Sequence, residues 1–486
     1  MSLLSTADWA DRIFTGGWDL PARPGTIDIT EPATGQHLGS VGRATEADVA
    51  PAARTAAAAG RAWAAAPFPE RAAALRRAAD AFRSHADEIA DWIVREAGSS
   101  RAKAALEVAV AAAECEEAAA LPAAPTGELL PSTQPRLSMA RRIPVGVVGV
   151  ISPFNFPLIL SIRSIAPALA LGNAVLLKPD PRTPVSGGVV LARVFEEAGL
   201  PAGLLHCLPG GADVGAAIVR DPAVRVVSFT GSTAAGRAVG ALASEQLTRA
   251  HLELGGNSAL IVREDADIDA AASCGAWGNF LHQGQICMAV GRHLVHESRY
   301  EEYLGLLAKK AEQLTVGDPF REPVALGPLI DDRQLGHVVD VVERSVAAGA
   351  RVVTGGTHRG RFYRPTVLAD CGPSVPAWDE EVFGPVACVR PFRDDDEAVA
   401  LAADSPYGLS LGILTADTAR GLALAERIPS GMVHINDQTV NDDPNAPFGG
   451  LAASGFGRVG GARANLDAFT ETQWLTLRGD TARYPF

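Results

Sequence analysis

The cysteine at position 287 lies in a short polar stretch, residues 283–288 (QGQICM), whose composition suits nucleophilic chemistry. Residues 277–282 resemble the end of an apolar helix, and residues 292–296 alternate like a strand. A thiol at such a break, beside glycine, can present its sulfur to a small substrate, and the thiolate is a strong nucleophile. Most free cysteines are instead small buried hydrophobic residues, so Cys287 alone predicts little.

Three further side chains have types and positions that suit catalysis. Glu253 lies in an apolar run before two glycines, where burial would raise its pKa and suit it to act as a general base. Asn155 follows an apolar run, and its amide can donate to a developing oxyanion. Lys178 ends another such run, and ligands of open α/β sheets bind beyond the carboxyl ends of strands. Each also has an ordinary interpretation: a paired structural glutamate, a turn asparagine and a surface lysine.

A glycine turn within residues 228–236 (SFTGSTAAG) separates a predicted strand from a predicted helix. Main-chain N–H groups at the start of such a helix, near Gly231 and Ser232, favour phosphate oxygens. Small residues also suit any tight turn, so an ordinary strand–helix connection is the alternative.

Two pattern matches point elsewhere. Residues 455–460 (GFGRVG) match the dinucleotide-binding pattern, but they follow no predicted strand and too little chain remains after them. Residues 408–412 (GLSLG) match the pattern around a hydrolase serine, with Asp417 and His434 following in a permissible order. A hydrolase serine needs a helix directly after it, whereas residues 411–415 continue as strand. A serine hydrolase using Ser410 is kept as a remote alternative.

The elements that must position these residues alternate after residue 142. Apolar strands and helical segments follow one another to about residue 436, which predicts an α/β fold of two doubly wound parallel-sheet domains divided near residue 252. Before them, residues 27–43 predict a strand pair and residues 46–121 predict three helices, one ending at Gly98. Prolines mark a connector at residues 122–143. The strand-like tail from residue 469 is too short to stand alone, so we expect it to pair with another strand.

Composition excludes several classes of function. The 486 residues carry 43 basic and 56 acidic side chains, a net charge of −13, which argues against a nucleic-acid or membrane-surface binder. The six cysteines form no Cys-x-x-Cys pair, so we expect no disulfide framework, no metal site and a cytoplasmic location. No secretory signal is evident at the N-terminus. Residues 143–162 are uncharged, but three prolines interrupt them, so we expect strand, loop and helix rather than a membrane span.

Taken together and in order, these stretches resemble the NAD(P)-dependent aldehyde dehydrogenases over nearly the whole chain. The resemblance rests on residues 153–157 (PFNFP), the strand end at Lys178, and residues 229–232 (FTGS), 252–256 (LELGG), 284–287 (GQIC), 381–385 (EVFGP) and 447–450 (PFGG). Each stretch is weak alone, whereas the ordered set is specific.

The resemblance implies a role for each residue. Cys287 corresponds to the nucleophile, Asn155 to the oxyanion donor and Glu253 to the base that activates water, so a free acid is the expected product. The implied cofactor residues are Lys178, Gly231, Ser232, Glu381 and Phe383. A non-catalytic scaffold of the same fold is disfavoured because the three catalytic residue types are all present.

The cofactor prediction is NAD, with NADP as an alternative. Many NAD-preferring members of the family have a glutamate three positions after the lysine, where this chain has Pro181. Asp180 is the acid adjacent to that position, and Arg182 would favour a 2′-phosphate.

Residues 178–183 (KPDPRT), 285–289 (QICMA) and 441–448 (NDDPNAPF) resemble the benzaldehyde and vanillin dehydrogenase branch. The resemblance implies a flat apolar pocket walled by Phe156, Ile286, Met288 and Phe448, and hence an aromatic aldehyde as substrate. Aliphatic aldehydes and semialdehydes are the alternatives.

The resemblance also implies a domain organisation. Residues 1–121 and 144–252 would bind the cofactor, residues 253–436 would form the catalytic domain, and residues 437–468 would return to complete the active site. Residues 122–143 and 469–486 would form a ribbon that joins subunits, which implies a homodimer or homotetramer.

Overall fold

The computed structural model describes residues 2–372 and 374–486, and it is an α/β structure. The helices are α1 (Thr6–Trp9), α2 (Glu46–Ala65), α3 (Phe68–Ser84), α4 (Ala86–Ala97), α5 (Arg101–Ala120), α6 (Pro157–Ala170), α7 (Val190–Glu197), α8 (Ala212–Arg220), α9 (Thr233–Gln246), α10 (Ile268–Phe280), α11 (Tyr300–Gln313), α12 (Asp332–Ala347), α13 (Pro376–Asp379), α14 (Asp395–Ala403), α15 (Thr418–Ala425) and α16 (Ala462–Phe469).

The strands are β1 (Ile13–Phe14), β2 (Trp18–Asp19), β3 (Thr26–Thr30), β4 (His37–Gly42), β5 (Gly127–Leu129), β6 (Leu137–Pro144), β7 (Val147–Ile151), β8 (Ala174–Lys178), β9 (Leu205–Cys207), β10 (Val224–Thr230), β11 (Arg249–Glu253), β12 (Ser258–Val262), β13 (Val290–His296), β14 (Arg351–Thr354), β15 (His358–Arg359), β16 (Phe362–Tyr363), β17 (Thr366–Ala369), β18 (Val386–Phe392), β19 (Tyr407–Gly408), β20 (Ser410–Leu414), β21 (Met432–Ile435), β22 (Leu451–Ala452), β23 (Gly455–Phe456) and β24 (Thr470–Leu477).

Two large sheets organise the described part of the chain. The first has the order β2-β1-β9-β8-β7-β10-β11-β23, and its strands from β9 to β11 are parallel. The second has the order β14-β17-β18-β13-β12-β20-β21 and is parallel except for β14. Strands such as β7, β8 and β12 are buried along their whole length, as expected where helices cover both faces of a parallel sheet. The predicted α/β class with two doubly wound sheets is confirmed.

The first sheet carries Lys178 and the turn with Ser232, and the second carries the cysteine segment. The parallel part of the first sheet ends at Glu253, and β12 opens the second sheet at Ser258. Glu253 therefore lies where the chain passes from one sheet to the other.

The region 46–121 contains four helices, so the prediction of three was wrong. Gly98 ends α4, as predicted, and adopts the left-handed conformation with φ of 65°. The break between α3 and α4 occurs at His85, with φ of −111° and ψ of 22°. Neither glycine nor proline marks that break, so the sequence carried no signal for it.

The tail forms β24, which pairs along its length with β6, and β6 also pairs with β5. The expectation that the tail joins another strand is therefore confirmed, and the predicted strand pair at residues 27–43 is β3 with β4. Among the described residues, we find no helix long and apolar enough to cross a membrane.

Candidate active site

The cysteine turn has an unusual main-chain conformation. After α10, His282, Gln283 and Gly284 all adopt positive φ, at 48°, 55° and 67°. The left-handed conformation costs a non-glycine residue about 1–2 kcal/mol, so surrounding contacts must hold this turn. At Gly284, a Cβ would lie 2.1 Å from the carbonyl oxygen of Gly384, which is why glycine is needed there.

Two buried glutamines fix the turn. The Gln283 side chain donates to the carbonyls of Gly98 and Pro328, each at 2.9 Å. The Gln285 side chain accepts from the N–H of Ile330 at 3.1 Å. These bonds hold the main chain on both sides of Gly284, and they therefore limit the movement of the segment that leads to Cys287.

Asn155 lies against the same turn. It is in the loop between β7 and α6, is almost completely buried, and its Nδ2 donates to the carbonyl oxygen of Gln285 at 2.9 Å. The structure thus brings together an amide and a thiol that are 132 positions apart in the chain (287 − 155).

Glu253 is buried at the end of β11 with an unsatisfied carboxylate. It is 5% exposed, and neither carboxylate oxygen has a hydrogen-bond partner among the residues that the structure describes. Burial raises the pKa of Glu253 well above its ordinary value, although the charges of Arg163 and Arg458 oppose the shift, as does the main-chain N–H of Gly450, which approaches the carboxylate without forming a regular hydrogen bond. An unpaired buried carboxylate costs free energy, so it needs a functional explanation.

The surroundings of Cys287 favour its neutral thiol over the thiolate. Burial raises its pKa to about 12, and the nearby charges of Glu381 and Glu253 add to the shift. Arg163 and the N–H of Met288 act in the opposite direction. Because the thiolate is the reactive form, a base must take the proton when the sulfur attacks.

The four residues predicted to wall a substrate pocket belong to one apolar cluster around the cysteine. Ile286, Met288 and Phe448 are buried there together with Leu409. The partly buried side chains packed against them are Phe156, Leu281, Cys287, Ala289, Met432 and Val440.

Two of the predicted cofactor positions follow strands of the first sheet. Lys178 ends β8 and is buried, which lowers its pKa, and its Nζ donates to the carbonyl of Pro179 at 3.2 Å. Ser232 caps the N-terminus of α9 after β10, and its Oγ accepts from the N–H of Ala235 at 3.3 Å. Both strands are neighbours of β7, so the two residues and Asn155 share the carboxyl edge of the sheet.

Glu381 and Phe383 face this edge from the second sheet. Glu381 accepts a hydrogen bond of 3.0 Å from the N–H of Gly256, and burial raises its pKa to about 7. Phe383 has a φ of 50° and packs edge to face against Phe154, with ring centroids 5.9 Å apart. The predicted cofactor residues therefore converge from both sheets.

The structure gives Arg182 a different environment from the one that the sequence suggested. Its Nε and Nη2 each donate to the Asp180 carboxylate at 2.8 Å, and Nη1 donates to Asp331 at 3.0 Å. Burial acts to raise the pKa of Asp180, but bonds from Arg182 hold it below its ordinary value. Arg182 is thus already paired with two carboxylates.

Sequence reasoning missed four charged residues beside the site. Arg163 on α6 pairs with Asp442, and its guanidinium carbon lies 4.4 Å from the centroid of the Phe448 ring. Lys103 and Glu107 form a buried pair on α5. Arg163 could have been noticed, because it is a charged residue within the otherwise apolar α6. Lys103 and Glu107 could not, because an i,i+4 pair of opposite charges in an alanine-rich helix resembles an ordinary surface pair.

Ser410 lies in a strand, as the sequence predicted. It begins β20, and its Oγ donates to the carbonyl of Thr439 at 2.9 Å. No helix follows it directly, so the turn that a hydrolase serine requires is not formed there. Among the described residues, no group of histidine, cysteine and carboxylate side chains could hold a metal ion.

Known proteins similar to this chain agree with this arrangement. The aldehyde dehydrogenase family model matches residues 18–475. The chain is 65% identical to a vanillin dehydrogenase of Amycolatopsis sp. over 100% of both chains. It is 47% identical to an NAD(+) benzaldehyde dehydrogenase of Pseudomonas putida over 98% of both. A crystal structure of a salicylaldehyde dehydrogenase from Pseudomonas putida G7, complexed with salicylaldehyde, superposes with a TM-score of 0.95 at 34% identity, covering 98% of this chain and 99% of that one. The chain therefore belongs to the aldehyde dehydrogenase family.

Proposed function

We propose that the protein oxidises an aromatic aldehyde to its carboxylic acid, with NAD as hydride acceptor and Cys287 as nucleophile. The proposal is supported by three observations: Asn155 bonds to the turn that carries Cys287, the charge of the buried Glu253 carboxylate acts on the pKa of the Cys287 thiol, and Cys287 packs against an apolar cluster. The names of the similar vanillin and benzaldehyde dehydrogenases support the aromatic substrate class.

In the first step, the Cys287 sulfur adds to the aldehyde carbon and the thiol gives up its proton. The carbonyl oxygen gains negative charge. Asn155 Nδ2 and the Cys287 N–H stabilise that charge by donating hydrogen bonds. The thiol proton passes to solvent water, so the Glu253 carboxylate stays free to act as the base in the later hydrolysis step.

The residues at the carboxyl edge of the first sheet fit a dinucleotide. Lys178 is buried, and among the described residues its Nζ has one acceptor, Pro179, which leaves N–H groups for ribose hydroxyls. Gly231 and Ser232 directly precede α9, and main-chain N–H groups at the start of that helix favour phosphate. Glu381 and Phe383 would hold the nicotinamide end. When bound there, NAD supplies the hydride acceptor that converts the cysteine adduct to a thioester.

In the last step, Glu253 takes a proton from a water molecule that attacks the thioester carbon. The carbon–sulfur bond breaks, the carboxylic acid leaves, and the proton held by Glu253 passes to the sulfur, which restores the Cys287 thiol. The buried and unpaired Glu253 carboxylate suits this role because hydrogen bonds to it would lower its basicity.

The apolar cluster favours a flat ring over a polar substrate. Phe156 and Phe448 offer aromatic faces, while Ile286 and Met288 flank the nucleophile in the chain. Aromatic pairs contribute about 0.5–1.5 kcal/mol beyond burial alone, so a benzaldehyde-type substrate gains an advantage over hexanal.

The same proposal covers domains, assembly and location. We assign residues 1–121 and 144–252 to cofactor binding, residues 253–436 to catalysis with 437–468 completing the site, and residues 122–143 and 469–486 to a ribbon between subunits. Leu137, Trp474 and Leu477 are exposed on that ribbon, which favours a homodimer or homotetramer. The six cysteines are unpaired, which suits the reducing cytoplasm.

The decisive experiment follows the near-ultraviolet absorbance of reduced nicotinamide with benzaldehyde or hexanal, and NAD or NADP. We expect steady turnover that is faster with benzaldehyde and NAD, and that Cys287→Ala lowers by at least about 10³-fold. Cys274→Ala removes a half-buried thiol on α10, outside the cysteine turn, and is the matched control that keeps activity. A clear preference for hexanal would refute the aromatic assignment, and no turnover with any aldehyde would refute the activity.

A further inference from the structure

A buried ion pair on α5 contacts the loop that carries Asn155. Lys103 and Glu107 lie one helical turn apart, are 1% and 0% exposed, and bond directly to each other. Removing two charges from water costs several kcal/mol per ion, so such a pair is weak evidence for stability. The role of the Lys103–Glu107 pair therefore depends on the bonds that it makes to other groups.

Lys103 contacts two consecutive residues of the loop. Its Nζ donates to the main-chain carbonyl of Asn155 at 2.6 Å and lies 4.1 Å from the centroid of the Phe156 ring. One ammonium group thus contacts both the proposed oxyanion donor and a wall of the substrate cluster.

Glu107 holds the next part of the chain. Its Oε2 accepts from the N–H groups of Leu158 and Ile159, at 3.1 and 3.4 Å, in the first turn of α6. These N–H groups have no partner inside the helix, and a carboxylate at a helix N-terminus satisfies them. The pair therefore fixes the chain on both sides of Phe156.

The main chain of Asn155 is held by Lys103 while its side chain reaches the cysteine turn. Asn155 Nδ2 bonds to Gln285, two residues before Cys287. A displacement of about 1 Å at a positioned group can lower a rate about 10²-fold, so the position of this main chain matters to the proposed chemistry.

We propose that the Lys103–Glu107 pair is a positioning device that acts through Asn155 to aim its amide at the oxyanion. This inference rests on the proposed function. Neither residue touches the reacting atoms, so both are positioning residues, and their effect must vanish when Asn155 has no amide to aim.

The test is a double-mutant cycle on single-turnover formation of reduced nicotinamide from benzaldehyde and NAD. We expect Lys103→Met to lower the rate constant about 10- to 100-fold in the wild-type background and less than about 2-fold in the Asn155→Ala background. Glu107→Gln keeps the shape of the side chain and repeats the test if Lys103→Met does not fold. Equal losses in both backgrounds, or no loss in the wild-type background, would overturn the inference.

Two further measurements separate positioning from a structural role. Alkylation of Cys287 by iodoacetamide needs no oxyanion donor, so we expect Lys103→Met to leave its rate within about 2-fold of wild type. Arg95→Met removes a different partly buried pair, with Glu31 at 2.8 Å, and should leave the single-turnover rate unchanged. Alkylation that slows in parallel with turnover would mean a disturbed cysteine turn and would contradict the inference. A wild-type enzyme without turnover would instead refute the proposed function itself.

Discussion

The side-chain amide of Asn155 donates a hydrogen bond of 2.9 Å to the main-chain carbonyl of Gln285, two residues before Cys287. An amide nitrogen carries two hydrogens, so one can keep this bond while the other donates to a substrate oxygen. The bond therefore sets the orientation of the amide before the aldehyde arrives. Preorganisation of this kind is what makes an oxyanion donor effective.

Glu253→Gln should separate the two halves of the proposed reaction. The glutamine is isosteric but accepts no proton from water, so we expect formation of about one equivalent of reduced nicotinamide per active site and then very slow turnover. Rapid mixing with benzaldehyde and NAD measures the burst and the steady rate. Steady turnover close to wild type would contradict the assignment of Glu253 as the base.

The rate of acyl release should rise with pH in the wild-type enzyme. The pKa of Glu253 is raised by burial, so its basic form accumulates only as the pH rises well above the range of ordinary carboxylates. We expect the steady rate to increase with pH above the range in which ordinary carboxylates titrate, and to lose this dependence in Glu253→Gln. If the steady rate of Glu253→Gln kept the pH dependence of the wild type, the titrating group would not be Glu253.

Glu253→Gln should also stabilise the protein at high pH. Because the folded state raises the pKa of Glu253, it binds more protons than the unfolded state between the two pKa values, and stability falls as the pH rises through that window. We expect the variant to gain about 1–3 kcal/mol relative to wild type at about pH 8 and less at about pH 5. Thermal unfolding at both pH values measures this, with the exposed Glu128→Gln as the control that should show no gain.

Phe156→Leu should reduce the preference for aromatic substrates. Loss of the ring removes an aromatic contact of about 0.5–1.5 kcal/mol, so kcat/KM for benzaldehyde should fall roughly 2- to 10-fold relative to that for hexanal. The exposed Phe68→Leu on α3 is the matched control and should leave the ratio unchanged. An equal fall for both substrates would place Phe156 in the general support of the loop and not in recognition of the ring.

Asp180→Asn should shift cofactor use toward NADP. Arg182 is held by Asp180 and Asp331, and removing one carboxylate charge releases part of its positive charge for a 2′-phosphate. We expect the ratio of kcat/KM for NADP to that for NAD to rise about 10-fold. Asp340→Asn, which alters an exposed pair with Arg344, should not change the ratio. An unchanged ratio in Asp180→Asn would mean that Arg182 lies away from the bound ribose.

Trp474→Lys should weaken the proposed assembly. Trp474 is 63% exposed on β24, and burial of such a ring in an interface would leave the introduced lysine charge unpaired. Light scattering should show a lower molar mass for this variant than for wild type, while Leu422→Lys on the exposed face of α15 keeps the wild-type mass. A monomeric wild-type protein would contradict the proposed ribbon contact.

The sequence by itself determined the alternation of strands and helices and the residue types of the site. Runs of buried aliphatic residues separated by helical segments predict a parallel sheet covered on both faces, because such a strand has no polar face to expose. The end of α4 at Gly98 and the strand that follows Ser410 were predictable for the same local reason: backbone preference depends on neighbouring residues. The break at His85 was not, since neither glycine nor proline produces it.

Tertiary structure alone decided which charges are buried and what each one contacts. Lys103 and Glu107 have the spacing of a solvent-exposed helical pair, and only the packing of α5 against α6 makes them a buried pair that holds Asn155. Likewise, the sequence offered Arg182 as a phosphate ligand, whereas the fold places Asp331, 149 positions away, against it. Local sequence fixes backbone preference, but burial and pairing depend on residues far apart in the chain, and these determine the pKa values and contacts on which catalysis depends.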